Sequence, residues 1–214
     1  MSVGPPNSTD ARRLALVSGV RAEALTVAWM IVEAAVAIYA GIVARSVLLT
    51  AFGADSVIEL LSGGVLLWRL HAEGDRERTE NVERRAAWLS AVLLVLLCLY
   101  ILASSAVGLL RHVEPDASLL GIAVSAAAIV VMPLIAAWKR RINLVLQSGA
   151  LRADIAESVS CAYMAACVLL GLALNWLLHW WWIEYVATLS LLFWLVHETR
   201  EAFESARGES CEND

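Results

Sequence analysis

The sequence predicts an all-α membrane protein of six transmembrane helices, and three observations predict it. Of the 214 residues, 60% are hydrophobic and only 17% charged, with a mean hydropathy of +0.69. A soluble domain carries about a quarter charged residues. The charges also gather in short blocks, and between the blocks run apolar stretches of about 20 residues or more, enough to cross a ~30 Å hydrocarbon core. Finally, the Lys and Arg residues distribute strongly to one side of the topology those stretches imply. No linker is long enough to separate two domains.

The elements follow in order along the chain. Residues 1–22 read as an N-terminal segment outside the bilayer. Its start, MSVGPPNSTD, is disordered in character, and 11–22 reads as a short interfacial helix with Arg12, Arg13 and Arg21 on its polar side. No short apolar run with a small-residue cleavage site follows, so no removable signal peptide is expected. The transmembrane unit spans 23–203. Span one covers Leu25 to Ala44, Arg45-Ser46 makes a tight turn, and span two covers Val47 to Trp68. The charged stretch Arg69 to Arg85 reads as a loop. Span three covers Ala86 to Leu110, closed by RHVEPDA, and span four covers Leu119 to Trp138, stopping at Lys139-Arg140-Arg141. Span five covers Leu146 to Leu174 and leads into a Trp-rich turn, Asn175 to Trp182. Span six covers Ile183 to Val196 and runs on as a polar helix, and 204–214 reads as a short acidic cytoplasmic tail.

With a cytoplasmic N-terminus, fourteen Lys and Arg residues fall inside (12, 13, 21, 69, 76, 78, 84, 85, 139, 140, 141, 152, 200 and 207) and two, Arg45 and Arg111, fall outside. Both termini are then cytoplasmic. Trp176, Trp180, Trp181 and Trp182 form an outer interfacial belt, with Trp68, Trp88 and Trp138 near the inner interface. The net charge of −5 lies partly in the tail and gives no reason to expect a nucleic-acid partner. Cysteines 98, 161, 167 and 211 form no Cys-x-x-Cys pair, and three lie in apolar segments, so a disulfide framework is not predicted.

Carboxylates inside the spans carry the functional signal. A carboxylate at membrane depth costs at least ~2.5–3.5 kcal/mol on insertion scales, so its retention needs a reason. Span two holds Asp55 and Glu59, four apart on one helical face. Span five holds Asp154 and Glu157, with Cys161 four residues further on. Small and hydroxyl residues surround both sets: Ser56, Ser62, Gly63, Gly64, Ser158 and Ser160. Antiparallel placement puts Asp55 level with Cys161 and Glu59 level with Glu157, so four ligand-capable groups converge near the bilayer midplane. Carboxylate oxygens and a thiolate suit Zn²⁺, with Fe²⁺, Co²⁺ and Mn²⁺ as competitors. Without an ion, such a cluster sheds its charge by holding protons, which an arriving cation displaces; proton–metal antiport follows from that exchange. Asp154 lies beside the site, with pairing to Arg152 or a helix cap as the other reading. Glu33 in span one is a further buried carboxylate, on the path or structural. Glu184 and the four histidines, 71, 112, 179 and 197, read as interfacial or solvated.

The stretch Ser46-Val-Leu-Leu-Thr-Ala-Phe-Gly-Ala-Asp55-Ser-Val-Ile-Glu59 resembles the second helix of cation diffusion facilitator transporters. Gly149-Ala-Leu-Arg-Ala-Asp154-Ile-Ala-Glu157-Ser-Val-Ser-Cys161 is similar to their fifth helix, where a His-x-x-x-Asp pair follows an Ala-Leu-x-Ala-Asp lead-in. The resemblance covers about 23–203. It implies a six-helix, usually homodimeric, secondary transporter rather than an enzyme, exporting Zn²⁺ or related divalent ions in exchange for protons; the expected location is a bacterial inner membrane. By position, the metal site is Asp55, Glu59, Glu157 and Cys161, with Asp154 adjacent. Two departures stand out: Glu157 and Cys161 replace the family's His and Asp, and the cytoplasmic C-terminal metal-binding domain has no counterpart. A dimer would then be held by membrane helices.

Splitting the chain near 111–117 gives two three-helix halves of opposite topology, an acidic helix in the middle of each, with Ala54-Asp55 and Ala153-Asp154 at comparable places. Three rivals stand beside metal transport. An exporter of small organic cations needs aromatics around the acids, where this chain has small residues and a thiol. A membrane thiol oxidoreductase using Cys161 and Cys167 needs the two on one face, and a spacing of six does not put them there. A scaffolding protein leaves the buried carboxylates without a purpose.

Overall fold

A computed structural model of the chain describes residues 8–71 and 76–207. Six helices occupy these residues: α1 (Ser8–Ala44), α2 (Val47–His71), α3 (Arg76–Leu110), α4 (Leu119–Leu146), α5 (Gly149–Leu178) and α6 (Trp181–Arg207). The described residues contain no strand. Residues 1–7, 72–75 and 208–214, which include most of the tail and part of the expected 69–85 loop, lie outside the described residues.

Five of the helices, α1 to α5, are long and apolar enough to cross a membrane. Their outer faces are apolar as well: Leu96, Leu99, Leu110, Leu134 and Tyr39 are all exposed. Large apolar side chains exposed on the outside of a helix bundle belong in lipid rather than water. Of the five, α2 has the lowest hydropathy, 1.3, and the largest buried share, 50%. The two facts have one cause, since α2 packs on α1, α3, α5 and α6 and faces protein where the others face lipid. The other main packing pairs are α3 with α6, α4 with α5, α1 with α4, and α5 with α6.

Local chemistry sets the turns. Arg45 takes a left-handed backbone (φ 54°) to end α1, and Ser46 starts α2 by accepting the Leu49 N–H on its hydroxyl at 3.1 Å. The hairpin is tight because Gly41 has no side chain. A Cβ there would come within 2.7 Å of the Thr50 backbone nitrogen, and small residues at such crossings let helix backbones approach. Ser118 caps α4 through the Gly121 N–H at 3.0 Å, and left-handed Gln147 ends it.

Several boundaries differ from the sequence reading. α5 begins at Gly149 rather than Leu146 and runs to Leu178, and α6 begins at Trp181, so only His179 and Trp180 of the expected Trp-rich turn lie outside a helix. α1 runs unbroken from Ser8, so the expected interfacial helix and span one are a single element. α2 and α3 extend into the expected polar loop as far as His71 and from Arg76. α4 passes through Lys139-Arg140-Arg141 to Leu146 instead of stopping at Trp138. Only Arg140 and Arg141 are exposed; Lys139 is wholly buried, so one of the three cations is not an interfacial stop.

Candidate cation site

Acidic groups from α1, α2 and α5 form a stacked column. Along α1 the column runs from Glu23 to Glu33, ten residues, or about 15 Å of helical rise. Glu23, Glu33, Asp55, Glu59 and Asp154 are all buried, at 0%, 0%, 2%, 8% and 6% exposure.

The level nearest the α1–α2 turn centres on Glu33. Its Oε1 accepts the Ser56 hydroxyl at 2.8 Å and the Cys161 thiol at 3.4 Å, and its Oε2 accepts the Trp29 indole N–H at 2.7 Å. Glu33, Asp55 and Glu59 all lie within electrostatic reach of the thiol. The thiol thus faces the acids of span two together, Glu59 before Asp55, the residue the sequence reading set level with it. The thiol's own hydrogen bond, however, goes to Glu33 on α1. Both oxygens of Asp55 are buried with no hydrogen-bond partner.

One turn along α2, Glu59 and Glu157 line a common cavity with Thr26, Met30, Gly63, Met132, Asp154 and Ser158. Its volume is about 10 Å³, room for about one water. Glu59 Oε1 has no partner, and Glu157 Oε1 accepts the Ser62 hydroxyl at 3.0 Å. The hydroxyls of Thr26 and Ser158 donate to carbonyls of their own helices, at 3.0 Å each. That leaves the cavity with acceptors and no committed donor from those two residues. A wider groove of about 320 Å³, lined by Arg45, Val107 and Tyr185 among others, lies at the opposite end of α2 and has no carboxylate in its lining.

Below the cavity the expectation for Asp154 is replaced. Asp154 neither caps a helix nor meets Arg152, which is exposed; its Oδ2 accepts a hydrogen bond from Lys139 Nζ at 2.6 Å. The same ammonium lies 2.7 Å from Glu23 Oε2, an ion pair without hydrogen-bond alignment, while Glu23 Oε1 has no partner. Among the described residues, no three His, Cys, Asp or Glu side chains are set to hold one metal ion together. The five sequence candidates are thus spread along the column: Glu59, Glu157 and Asp154 around the cavity, Asp55 and Cys161 a turn away.

Glu184 also departs from its interfacial reading. It is 1% exposed and accepts hydrogen bonds from the Ser46 hydroxyl and, at 3.2 Å, from Asn175 Nδ2. Asn175 also donates to the Pro115 carbonyl, and Asp116 N–H donates to the Ala44 carbonyl at 2.8 Å. These bonds close the bundle at the α1–α2 turn.

Lys139, Glu23 and Glu198 were not singled out from sequence. The signal for Lys139 was present: Met132, Ile135, Ala136, Lys139 and Ile142 continue one buried stripe at helical spacing. Glu23 likewise continues the Thr26, Met30, Glu33 and Ala37 stripe of α1. Glu198 on α6 lies within electrostatic reach of Asp55, Glu59 and Glu157 and accepts the Trp194 indole N–H at 2.8 Å. It lies beyond the apolar part of α6, where burial holds its carboxyl above the usual range, opposed by that hydrogen bond. Of the histidines, His197 is exposed and pairs with Glu201, and His112 packs on Trp181. Cys98, Cys161 and Cys167 are free thiols, in no disulfide.

Compared with models of known protein families and with curated proteins, the chain matches none.

Proposed function

We propose that the chain is a secondary transporter that moves divalent metal cations, Zn²⁺ first among Fe²⁺, Co²⁺ and Mn²⁺, out of the cytoplasm in exchange for protons. The observation that carries this reading is the state of α2. Within a helix of membrane length, both Asp55 oxygens and Glu59 Oε1 are buried and without a partner, and Glu59 lines a cavity shared with Glu157 and Asp154. A fixed structural carboxylate is hydrogen-bonded or paired, as Glu33 and Glu184 are. Acceptors buried and unpartnered suit an exchangeable cation, with protons taking its place when it leaves.

The volume of about 10 Å³ favours a bare ion over a small organic cation in this conformation. In this reading α6 is the sixth span. Its apolar part carries exposed Val186, Leu189, Phe193 and Val196, a lipid-facing surface. The Lys and Arg bias sets both termini in the cytoplasm, which puts the Glu184 network outside and Lys139 inside. The halves α1–α3 and α4–α6 fit an inverted repeat: α1 packs on α4, α2 on α5 and α3 on α6, the pairs such a repeat relates. The resemblance to cation diffusion facilitators adds a homodimer held by membrane helices.

The test is metal flux into proteoliposomes for Zn²⁺, Mn²⁺, Fe²⁺ and Co²⁺, with and without a pH gradient. Flux of at least one ion is expected to follow the gradient. Asp55→Asn and Glu59→Gln are expected to lower it by at least about a hundredfold, the upper end of what losing a supporting group costs a metal site. Parent-like flux in both variants refutes the site, and no flux of any of the four ions refutes the substrate class.

A further inference from the structure

We infer that the Glu23–Lys139–Asp154 cluster is the inner gate of the carboxylate cavity, with Lys139 as a tethered cation that holds it shut. The inference rests on the transport reading for what passes through; the closure itself is a property of the bundle.

The cavity is walled by four helices: α1 through Thr26 and Met30, α2 through Glu59 and Gly63, α4 through Met132, and α5 through Asp154, Glu157 and Ser158. The charge cluster ties three of those helices together one to two turns nearer the N-terminus of α1. Glu23 comes from α1, Lys139 from α4 and Asp154 from α5, with Nζ–O distances of 2.7 and 2.6 Å. The fourth wall is fitted to it: a Cβ on Gly63 of α2 would stand 3.0 Å from Glu23 Oε1. The Lys139 and Glu23 side chains are both 0% exposed, so no water column passes the cluster in this conformation.

Two features distinguish a gate from a structural staple. Asp154 belongs to both parts, since it binds Lys139 and also lines the cavity. A cation entering beside Glu59 and Glu157 therefore competes with the Lys139 ammonium for the same carboxylate. In addition, Glu59 Oε1 in the cavity lining and Glu23 Oε1 in the cluster, beside Gly63, are buried and unpartnered, so each has a free acceptor for an ion in transit. An apolar plug would hold as firmly but could not sense the ion. A buried ion pair whose acceptor is shared can do so, because taking one partner away leaves the other charge uncompensated. Occupancy of the cavity then loosens α4 from α5. Lys139 acts here as a positioning residue that never contacts the cargo.

The experiment uses the full chain with Cys98, Cys167 and Cys211 changed to Ser, leaving Cys161. That residue lies one turn past Ser158 on α5 and is 1% exposed. Labelling by a membrane-impermeant, positively charged methanethiosulfonate is followed from the cytoplasmic face in inverted vesicles and from the opposite face in sealed cells. The parent is expected to label slowly from both. The neutral triple variant Glu23→Gln, Lys139→Met, Asp154→Asn removes the lock without leaving a lone buried charge, and is expected to label at least tenfold faster from the cytoplasmic face alone. Asp154→Asn by itself, which keeps Lys139 paired with Glu23, covers the case in which the triple variant does not fold and is expected to give a smaller increase from that face. Lys139→Arg keeps the charge and is expected to stay at the parent rate. Unchanged labelling in the folded neutral variants, acceleration from the opposite face, or an Arg variant as fast as the triple variant overturns the gate. Labelling needs no flux, so a chain that carries none of the four metals still tests this inference separately from the transport reading.

Discussion

Replacing Lys139 by Met is expected to destabilise the bundle by about 4 kcal/mol. The ammonium is fully buried between Asp154 Oδ2 at 2.6 Å and Glu23 Oε2 at 2.7 Å. Methionine fills most of the aliphatic stem, so the cavity contribution is small. What remains is the loss of one partner from a buried ion pair, which costs about 3–5 kcal/mol because the other charge is left uncompensated. Two carboxylates share that loss here, which favours the upper half of the range, and proton uptake by one of them limits it. For a chain of this size, 1 kcal/mol corresponds to about 2–4 °C in Tm, so a fall of roughly 8–16 °C is expected. Thermal unfolding in detergent at one fixed scan rate, followed by the fluorescence of the nine tryptophans, measures it. The neutral triple variant at 23, 139 and 154 is expected to lose less stability than Lys139→Met, since it leaves no uncompensated buried charge, only amides to be satisfied. A Lys139→Met variant as stable as the parent refutes the account of the cluster, as does a triple variant less stable than the single one.

Other outcomes follow from named contacts. Gly41→Val places a Cβ against the backbone of Thr50, so it is expected to destabilise by about 1–3 kcal/mol or more through overpacking and to lower the yield of monodisperse protein. Gly64→Ala, with nothing within 4 Å of the added carbon, is expected to keep the yield and to leave Tm unchanged or slightly raised by helix propensity. Equal behaviour of the two would show that the α1–α2 crossing is not as close as described. Cys161→Ser preserves a donor to Glu33 while replacing a soft sulfur by a hard oxygen. The Zn²⁺ to Mn²⁺ flux ratio is therefore expected to fall, and an unchanged ratio argues that the thiol serves only Glu33.

Much of this arrangement was legible in the sequence because helix formation is local. Backbone hydrogen bonds close within four residues, so apolar runs locate helices and a spacing of four locates shared faces. The turns at Arg45-Ser46 and 111–118 fall where expected, and Asp55 and Glu59 lie buried on α2 as their depth required. The failures are also physical. Lys139-Arg140-Arg141 reads as a polar stop because three adjacent cations suggest water. A helix turns 100° per residue, however, so Lys139 points into the bundle while Arg140 and Arg141 point out. Glu184 reads as interfacial from its place at the outer end of span six, yet the α1–α2 turn folds over it and supplies Ser46.

The sequence by itself determined that the chain is helical, which segments are long and apolar enough to cross a membrane, and which helices carry acids at depth. Only the tertiary structure decided what each acid faces. Glu59 and Glu157 share a cavity, Cys161 meets Glu33, and Asp154 is held by a lysine fifteen residues away on another helix. Phase along one helix is set by its own backbone. Partnership between helices depends on their relative rotation and rise, which close contacts such as Gly41 on Thr50 and Gly63 beside Glu23 set from far along the chain.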